Sequence, residues 1–226
     1  MSKRAGRKSQ SSNDFLEPKP VENLTATDVG TNRAYNNGAL DISWTLPADS
    51  PEATSYTITT TPSTSTYTTS GTSYQITGLS SNTAYTVSVY GSNAAGDGQS
   101  TTSSSVTVTT VPQSPQSVSA TAGVDKDTVS WSAGATGGKS ITSYSITSSD
   151  SKSFTGIGSS PYDVTQEADT AQTYTIYAIN DNGTSEGSTT NQVTTLPPSF
   201  FSPPYFPPFF PPFFPPRFFS PPFFSR

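Results

Sequence analysis

The sequence predicts an all-β protein made of two tandem antiparallel β-sandwiches, and three observations support this prediction. Helix-favouring residues are scarce, whereas Thr, Val, Ile and Tyr recur, which favours strands. Apolar residues alternate with polar ones in short runs, as Leu40, Ile42 and Trp44 do in "LDISWTLP", and this period of two is typical of strands buried on one face. Gly, Pro, Asn and Ser interrupt the runs about every 8–12 residues, a spacing that favours sandwiches.

An internal repeat divides most of the chain into two similar parts. Trp44 in "LDISWTLP" and Trp131 in "DTVSWSAG" lie 87 residues apart, and so do Asn93 and Asn180. The two copies also end in similar sequences, "VTTVP" in the first and "VTTLP" in the second. We therefore expect two copies of one β domain in tandem.

The first copy, Pro20 to Pro112, resembles a fibronectin type III domain. The resemblance rests on Trp44, on Tyr56 and on "SYQITGLSSNTAYTVSVYGSNAAGDG", which carries Leu79, Thr83 and Tyr85 at the family's spacing. It implies that Tyr85 is the tyrosine-corner residue, whose hydroxyl satisfies nearby backbone. Ala95 precedes Gly96 and Asp97 where the family's adhesive motif has arginine, so the resemblance does not imply integrin binding.

The second copy, Pro115 to Pro197, resembles the same family less closely. Trp131, Tyr144, Ile146 and "YAINDNG" fit, but Gln172 and Gln166 occupy the positions of Tyr85 and Leu79. The span from Gly183 to Val193 is two residues shorter than that from Gly96 to Val108. Both a fibronectin type III domain and a looser immunoglobulin-like sandwich remain open for this copy.

The chain therefore divides into four predicted parts. They are a basic N-terminal arm and linker (1–19), a first sandwich (20–112), a second sandwich (113–197) and a Pro/Phe-rich tail (198–226). Each sandwich contains a single tryptophan and little other large apolar area, so Trp44 and Trp131 should each be buried between two sheets. The expected core residues are Trp44, Tyr85, Trp131 and Tyr174.

The composition argues against catalysis and against bound cofactors. The chain has no His and no Cys, which excludes Ser-His-Asp triads, thiolate nucleophiles and sites built on histidine or cysteine ligands. The pairs Asp125/Asp127 and Asp181/Asn182 offer too few oxygen ligands for calcium and are interpreted as hairpin turns. We expect a protein that is not an enzyme and needs no cofactor or metal.

Charge separates the sandwiches from the N-terminal arm. Between Glu22 and Leu196 there are 4 basic and 14 acidic residues, so the sandwiches should not bind nucleic acid. The arm is basic, and it is either a solvated terminus or a docking arm for an acidic protein or nucleic-acid surface. Its candidate docking residues are Lys3, Arg4, Arg7 and Lys8.

Targeting and membrane-spanning segments are not expected in this sequence. The basic N-terminus lacks the apolar region of a secretory signal. No apolar stretch approaches the ~18 residues of a transmembrane helix. The protein should therefore be made in a cytoplasm and carry no membrane span.

The tail is the most unusual segment, because from Pro197 onward it holds 11 of the 13 Phe and 12 of the 20 Pro. Pro-Pro steps favour polyproline II, in which a four-residue "PPFF" repeat points its rings to all sides. Such rings require burial, either in a partner protein, in a bundle of identical tails or against lipid, and a partner protein is preferred. The candidate anchor residues are Phe206, Phe209, Phe210, Phe213, Phe214, Arg217, Phe218 and Phe219.

Tandem domains of this kind are similar to modules on bacteriophage virions, where they decorate capsids, tails or fibres and contact host-surface carbohydrate weakly. The resemblance implies an accessory virion protein, assembled in the host cytoplasm, released by lysis and bound to other virion proteins through its tail. Homo-oligomers through the tail are a further expectation. The alternative is a bacterial extracellular adhesion or matrix module, exported without a cleavable signal.

Overall fold

The structure, a computed structural model, describes residues 16–198, and these form strands and turns without any helix. This confirms the all-β prediction. No segment of the described range could therefore cross a membrane as a helix. The strands fall into two groups, residues 22–108 (the first sandwich) and residues 116–194 (the second sandwich).

The first sandwich pairs a three-stranded sheet, in the order β1-β2-β5, with a larger sheet in which β4, β3 and β6 are neighbours. The short strands β7, β8 and β9 pair in turn along β6 and together form its last neighbour. All these pairings are antiparallel. The bounds are β1 (Glu22–Asp28), β2 (Gly38–Thr45), β3 (Ser55–Thr61), β4 (Tyr67–Thr69), β5 (Ser73–Leu79), β6 (Thr83–Asn93), β7 (Gly96–Asp97), β8 (Thr101–Thr102) and β9 (Val106–Val108).

The second sandwich repeats this plan, with one sheet in the order β10-β11-β14 and another in which β13, β12 and β16 are neighbours. The counterpart of β6 is divided into β15 and β16, and β15 pairs with the last strand. The bounds are β10 (Gln116–Ala122), β11 (Lys126–Ser132), β12 (Ser143–Ser148), β13 (Ser153–Ile157), β14 (Tyr162–Thr165), β15 (Ala171–Gln172), β16 (Tyr174–Asn180), β17 (Gly183–Thr184), β18 (Ser188–Thr189) and β19 (Val193–Thr194).

The chain crosses each sandwich from one end to the other. In the first sandwich it comes in beside Glu22 at one end of β1, and Thr109 leaves beside Asp28 at the opposite end. In the second sandwich Leu196 donates its backbone N–H to the carbonyl of Gly123, which follows the far end of β10. The segment before β1 and the residues after Leu196 therefore lie at opposite ends of the tandem.

The strand register corrects one prediction about the second copy. Val193 pairs with Gln172 as Val106 pairs with Tyr85, so the counterpart of Val193 is Val106 and not Val108. The 87-residue offset persists to the last strand, and the predicted two-residue shortening is wrong. The duplicated "VTT" motif does not mark equivalent positions, because its first valine, Val108, pairs with Thr83 in the first copy, whereas Val193 pairs with Gln172 in the second.

Each core is built around one tryptophan that lies edge-on or tilted against a tyrosine. The rings of Trp44 and Tyr56 have centroids 5.2 Å apart, and those of Trp131 and Tyr144 are 5.1 Å apart. Alternating residues of both sheets complete the cores, and Leu40, Ile58 and Val89 are fully buried in the first. Period-two alternation, read from the sequence, therefore corresponds to the buried faces.

The second core contains a buried polar cluster where the first is apolar. Tyr174 donates its hydroxyl to Asp127 Oδ2 at 2.6 Å, and the hydroxyl of Thr195 lies 3.1 Å from both carboxylate oxygens. Tyr174, Asp127 and Thr195 are all fully buried. Burial, followed by the hydrogen bond to Asp127, raises the pKa of Tyr174 well above its ordinary value, so the phenol stays protonated and donates.

This cluster corrects the interpretation of Asp127 as a turn residue. Asp127 lies on β11, one residue after Lys126, and only Asp125 (φ 54°) is in the turn. By register, Asp127 occupies the position of Leu40 in the first sandwich. A carboxylate can be buried there because two hydroxyls satisfy it, and an unsatisfied one would be costly.

We expect Trp44→Ala to destabilise the first sandwich by ~3–5 kcal/mol, because it removes a large buried side chain and leaves a cavity. Urea unfolding followed by far-ultraviolet circular dichroism measures this change. Trp131 then remains the only tryptophan and reports on the second sandwich alone. A variant as stable as the parent protein would show that Trp44 does not support the core.

The polar cluster predicts a second stability effect. Asp127→Leu should destabilise the second sandwich by ~1–3 kcal/mol for each buried hydroxyl left without a partner. The triple variant Asp127→Leu/Tyr174→Phe/Thr195→Val removes the three polar groups together at nearly constant volume and should recover most of the loss. Urea midpoints of both variants measure the difference, and a triple variant less stable than the single one would refute the argument.

Candidate functional site

The most extensively built polar site in the described residues is the junction between the two sandwiches. Three segments meet there: the loop between β1 and β2 (residues 29–37), the linker after β9 (residues 109–115) and the turn between β16 and β17 (residues 181–182). The loop has nine residues, whereas its counterpart in the second sandwich (123–125) has three. The extra length lets the first sandwich reach the second.

Asn180 and Asn182 hold the linker by its backbone. The side-chain amide of Asn180 donates to the carbonyls of Thr110 at 3.0 Å and Thr136 at 2.9 Å. The amide of Asn182 donates to the same Thr110 carbonyl at 3.1 Å and to Thr109 Oγ1 at 2.7 Å. Both asparagines are almost fully buried, so these bonds are shielded from competing water.

The two asparagines also fix one another. The Asn182 backbone N–H donates to Asn180 Oδ1 at 2.9 Å, which sets the turn between β16 and β17. The carbonyl of Asn182 accepts from the backbone N–H of Asn32 at 2.7 Å. The second sandwich is thereby bonded to both the linker and the long loop of the first.

Asp28 closes the network from the first sandwich. Its carboxylate accepts from the backbone N–H of Thr109 at 3.0 Å and from the Thr109 hydroxyl at 2.5 Å. Because that hydroxyl in turn accepts from Asn182, the chain Asp28–Thr109–Asn182 runs directly from one sandwich to the other. Charge-assisted bonds of this kind are stronger than neutral ones.

Backbone pairs and close packing add to the side-chain bonds. Thr110 donates its N–H to the carbonyl of Gly137 at 2.8 Å, and Val111 donates to that of Arg33 at 3.0 Å. A Cβ at Gly30 would lie 2.3 Å from Thr109 Oγ1, and one at Gly137 would lie 2.4 Å from the Val111 carbonyl. Gly137 also has φ +73°, so glycine suits this position for two reasons.

At the N-terminal end of the first sandwich, an asparagine amide also binds the backbone of the segment that leads into the domain, but with fewer hydrogen bonds. Asn93, the counterpart of Asn180, donates its side-chain amide to the carbonyl of Leu16 at 2.9 Å and accepts from the Ala95 N–H at 2.8 Å. Lys19 adds an ion pair with Asp49, which holds the pKa of that carboxyl below its ordinary value. Each sandwich therefore holds the segment that precedes it, and the amide of Asn182 has no equivalent at this end, where Ala95 stands.

The predicted site residues fall in three groups. Trp44, Tyr85, Trp131 and Tyr174 are all buried in the two cores, and Tyr85 accepts a 3.3 Å hydrogen bond from the Ser80 N–H. The candidate docking arm (Lys3, Arg4, Arg7, Lys8) lies outside the described residues. So do the candidate anchor residues Phe206, Phe209, Phe210, Phe213, Phe214, Arg217, Phe218 and Phe219.

The acidic pairs considered for calcium have other places in the fold. Asp127 lies in the second core, and Asn182 is buried in the junction, so neither pair forms a common oxygen site. Residues 16–198 contain no group of three or more acidic side chains arranged to hold a metal ion. The Gly96–Asp97 pair lies in β7, where Asp97 accepts from the Ser92 hydroxyl at 2.6 Å.

Sequence reasoning missed the junction, although two signals pointed to it. The repeat places Asn182 opposite Ala95, an exchange that adds an amide at one position only. The segment between the first two predicted strands is also longer in the first copy than in the second. Neither signal indicates by itself that the two features meet across the linker.

The fold and the junction define a tandem β-sandwich protein, and comparison with known proteins finds a family match for the first sandwich. The model of the fibronectin type III domain matches residues 19–109. The chain therefore contains a fibronectin type III domain in its first sandwich. Domains of this family are typically non-catalytic modules with adhesive or structural roles.

Solved structures are also similar to the chain. The FN1–FN3 domains of chicken CNTN1 are 17% identical, with a TM-score of 0.44, and the alignment covers 80% of this chain and 67% of that one. No curated protein sequence matches the chain.

The junction predicts that the two sandwiches unfold together. Asn182→Ala removes the two amide bonds to Thr109 and Thr110 and leaves the buried Thr110 carbonyl with one donor fewer, a loss of ~1–3 kcal/mol. We expect calorimetry to show one transition in the parent protein and two in the double variant Asn180→Ala/Asn182→Ala.

The matched control is Asn93→Ala, which removes the equivalent amide at the far end of the first sandwich. It should leave the single transition intact, because Asn93 bonds Leu16, Glu52 and Ala95, which all lie at the far end of the first sandwich. Two separate transitions in the parent protein would show that the junction does not couple the sandwiches.

Proposed function

We propose that the protein is a non-enzymatic accessory component of a bacteriophage virion, with structural and adhesive roles. In this proposal the Pro/Phe tail attaches the protein to another virion protein, on the capsid, the tail or a fibre. The two sandwiches form a stiff body that stands away from the particle. Weak contacts between their surfaces and host glycans then add up over many copies.

The observation that carries the proposal is the end-to-end course of the chain through a hydrogen-bonded junction. The tail follows Leu196 at one end of the tandem, and the segment Leu16–Pro20 leads into the opposite end. The 11-residue strand β6 alone spans about 33 Å at ~3.3 Å per residue. An anchor at one end thus holds the first sandwich well clear of the attachment point.

Hydrophobicity supports the assignment of the tail as the anchor. Eleven phenylalanines follow residue 198, each worth ~1.5–3 kcal/mol when fully buried. Within the described residues 16–198, the strands lie between Glu22 and Thr194, and both cores are built from residues that precede the tail. Burial in a partner protein accounts for this composition.

Repeated uncharged surfaces support the proposed weak adhesion. On the outer face of the larger sheet, Ser88 and Thr102 are hydrogen-bonded at 2.7 Å, and their counterparts Thr175 and Thr189 at 2.9 Å. A half-buried tyrosine accompanies each pair, Tyr90 in the first sandwich and Tyr177 in the second. Hydroxyls beside an aromatic ring suit sugars, and we expect ~mM affinity for one copy with avidity from many.

The anchor assignment predicts the behaviour of tail variants. Replacing Phe209, Phe210, Phe213 and Phe214 together with Ser should abolish incorporation into particles, because it removes the central hydrophobic pairs. The melting temperature of the sandwiches should not change. Mass spectrometry of purified virus particles, together with calorimetry of the free protein, measures both quantities.

The matched control replaces the same four residues with Leu, which keeps the hydrophobicity, and it should restore incorporation in large part. Normal incorporation of the Ser variant would place the anchor elsewhere, with the basic arm as the next candidate. Complete absence of the parent protein from particles, with recovery from the bacterial surface or matrix, would favour an extracellular adhesion module instead.

A further inference from the structure

A groove of about 470 Å³ opens at the junction of the two sandwiches. Its floor is the linker, where Val111 and Pro112 are both buried. Tyr35 and Ala34 of the long loop line it from the first sandwich, and Glu186 lines it from the second. We call it the junction groove, and it exists only because the two sandwiches are held together.

The lining of the junction groove suits a proline-rich segment with a basic residue. Proline-rich segments in polyproline II conformation bind shallow grooves that present aromatic rings and apolar floors. Here Tyr35 supplies the ring and Pro112 the floor. The carboxylate of Glu186, which is exposed at the rim, favours a cation on the bound segment.

The chain itself contains a segment with this chemistry. Residues 199–226 carry ten prolines, eleven phenylalanines and no acidic residue. Their only charged side chains are Arg217 and Arg226, whereas the span from Glu22 to Leu196 holds 14 acidic and 4 basic residues. Charge and side-chain character therefore match between the tail and the groove.

The tail is also long enough to reach the groove on its own molecule. Val111 in the groove and Ala122 at the far end of β10 are separated by eleven residue steps, at most about 36 Å at ~3.3 Å per step. A polyproline II segment covers that distance in about 12 residues at ~3.1 Å each. Counted from Pro198, a tail that folds back would bring the stretch from Phe209 to Arg217 beside the groove.

We propose that the tail, before it meets its partner, folds back and docks the stretch Phe209–Arg217 in the junction groove of the same chain. Phenylalanine rings then pack on Tyr35 and Pro112, and Arg217 pairs with Glu186. A tethered segment is present at an effective concentration of ~mM, which favours the same chain over a second copy in dilute solution. The inference rests on the proposed anchoring function and adds that the anchor is sheltered until assembly.

The proline-free run Ser199–Ser202 at the root of the tail provides the place to reverse direction. Proline restricts φ, and none of the four residues in this run is proline. The comparable groove at the N-terminal end, lined by Leu16, Pro18 and Gln99, is a less favourable site. The tail would have to pass both sandwiches to reach it.

Paramagnetic relaxation enhancement on the full chain tests the proposal. The protein has no cysteine, so Ser220→Cys gives a single position for a nitroxide label. We expect broadening of the amide signals of Tyr35, Val111 and Glu186, with those of the distant Thr68 and Gln75 unaffected. Mixing labelled unenriched protein with unlabelled ¹⁵N-enriched protein should abolish the effect if docking occurs within one chain.

Matched variants make the test specific. Tyr35→Ser and Glu186→Arg should each reduce the broadening at the groove. Their controls, Tyr162→Ser on β14 and Gln99→Arg at the repeat-related position of Glu186, should not. The charge exchange Glu186→Arg/Arg217→Glu should restore the signal lost in Glu186→Arg alone.

Absence of broadening at the junction groove would overturn the proposal. Broadening that persists in the mixed sample would also overturn it, by showing that a second copy supplies the tail. The outcome is separable from the anchoring function. An undocked tail that is still required for incorporation into particles refutes the sheltered state alone, and a docked tail that is dispensable for incorporation refutes the anchor.

Discussion

The carbonyl of Thr110 is the point on which the arrangement of the two sandwiches depends. It accepts hydrogen bonds from the side-chain amides of both Asn180 and Asn182, inside a region from which water is excluded. A linker held only by its ends would leave two sandwiches free to turn, since interdomain motion is the default for small interfaces. Breaking these bonds would leave buried polar groups without partners, so the linker is held in one conformation.

The same turn serves two purposes in the two sandwiches. In both, an asparagine at the end of a long strand binds the carbonyl of the segment leading into its own domain, as Asn93 does for Leu16. In the second sandwich that segment belongs to the linker, and the exchange of Ala95 for Asn182 extends the contact to Thr109. The junction thus differs from the N-terminal contact in two ways. It has the additional side-chain amide of Asn182, and the loop of residues 29–37 is longer than its counterpart.

The fold could be predicted from the sequence because its signals are local or repeated. Alternation along Leu40, Ile42 and Trp44 determines which face of a strand is buried, and an 87-residue period reveals the duplication. The polar core around Asp127 could not be foreseen in this way, because an acidic residue beside a turn has the same local pattern whether its side chain points out or in. Only the register, which brings Tyr174 and Thr195 to it, shows the difference.

The junction could not be predicted from local sequence patterns either, because it joins residues from three separate segments. Asn182 follows an aspartate and precedes a glycine, which is typical of an exposed turn, and nothing nearby in sequence indicates Thr110 as its partner. The candidate anchor residues, such as Phe213, and the docking arm remain predictions from composition alone. Their assignment depends on experiments with the tail and the arm.

Rigid coupling of the sandwiches is tested most directly by the distance between them in solution. Thr68→Cys and Thr155→Cys place one spin label on an exposed position of each sandwich, and pulsed electron double resonance measures the distribution of distances. We expect one narrow distribution that broadens when Asn180 and Asn182 are both replaced with Ala. A broad distribution in the parent protein, unchanged by those substitutions, would contradict a junction that holds the two sandwiches as one body.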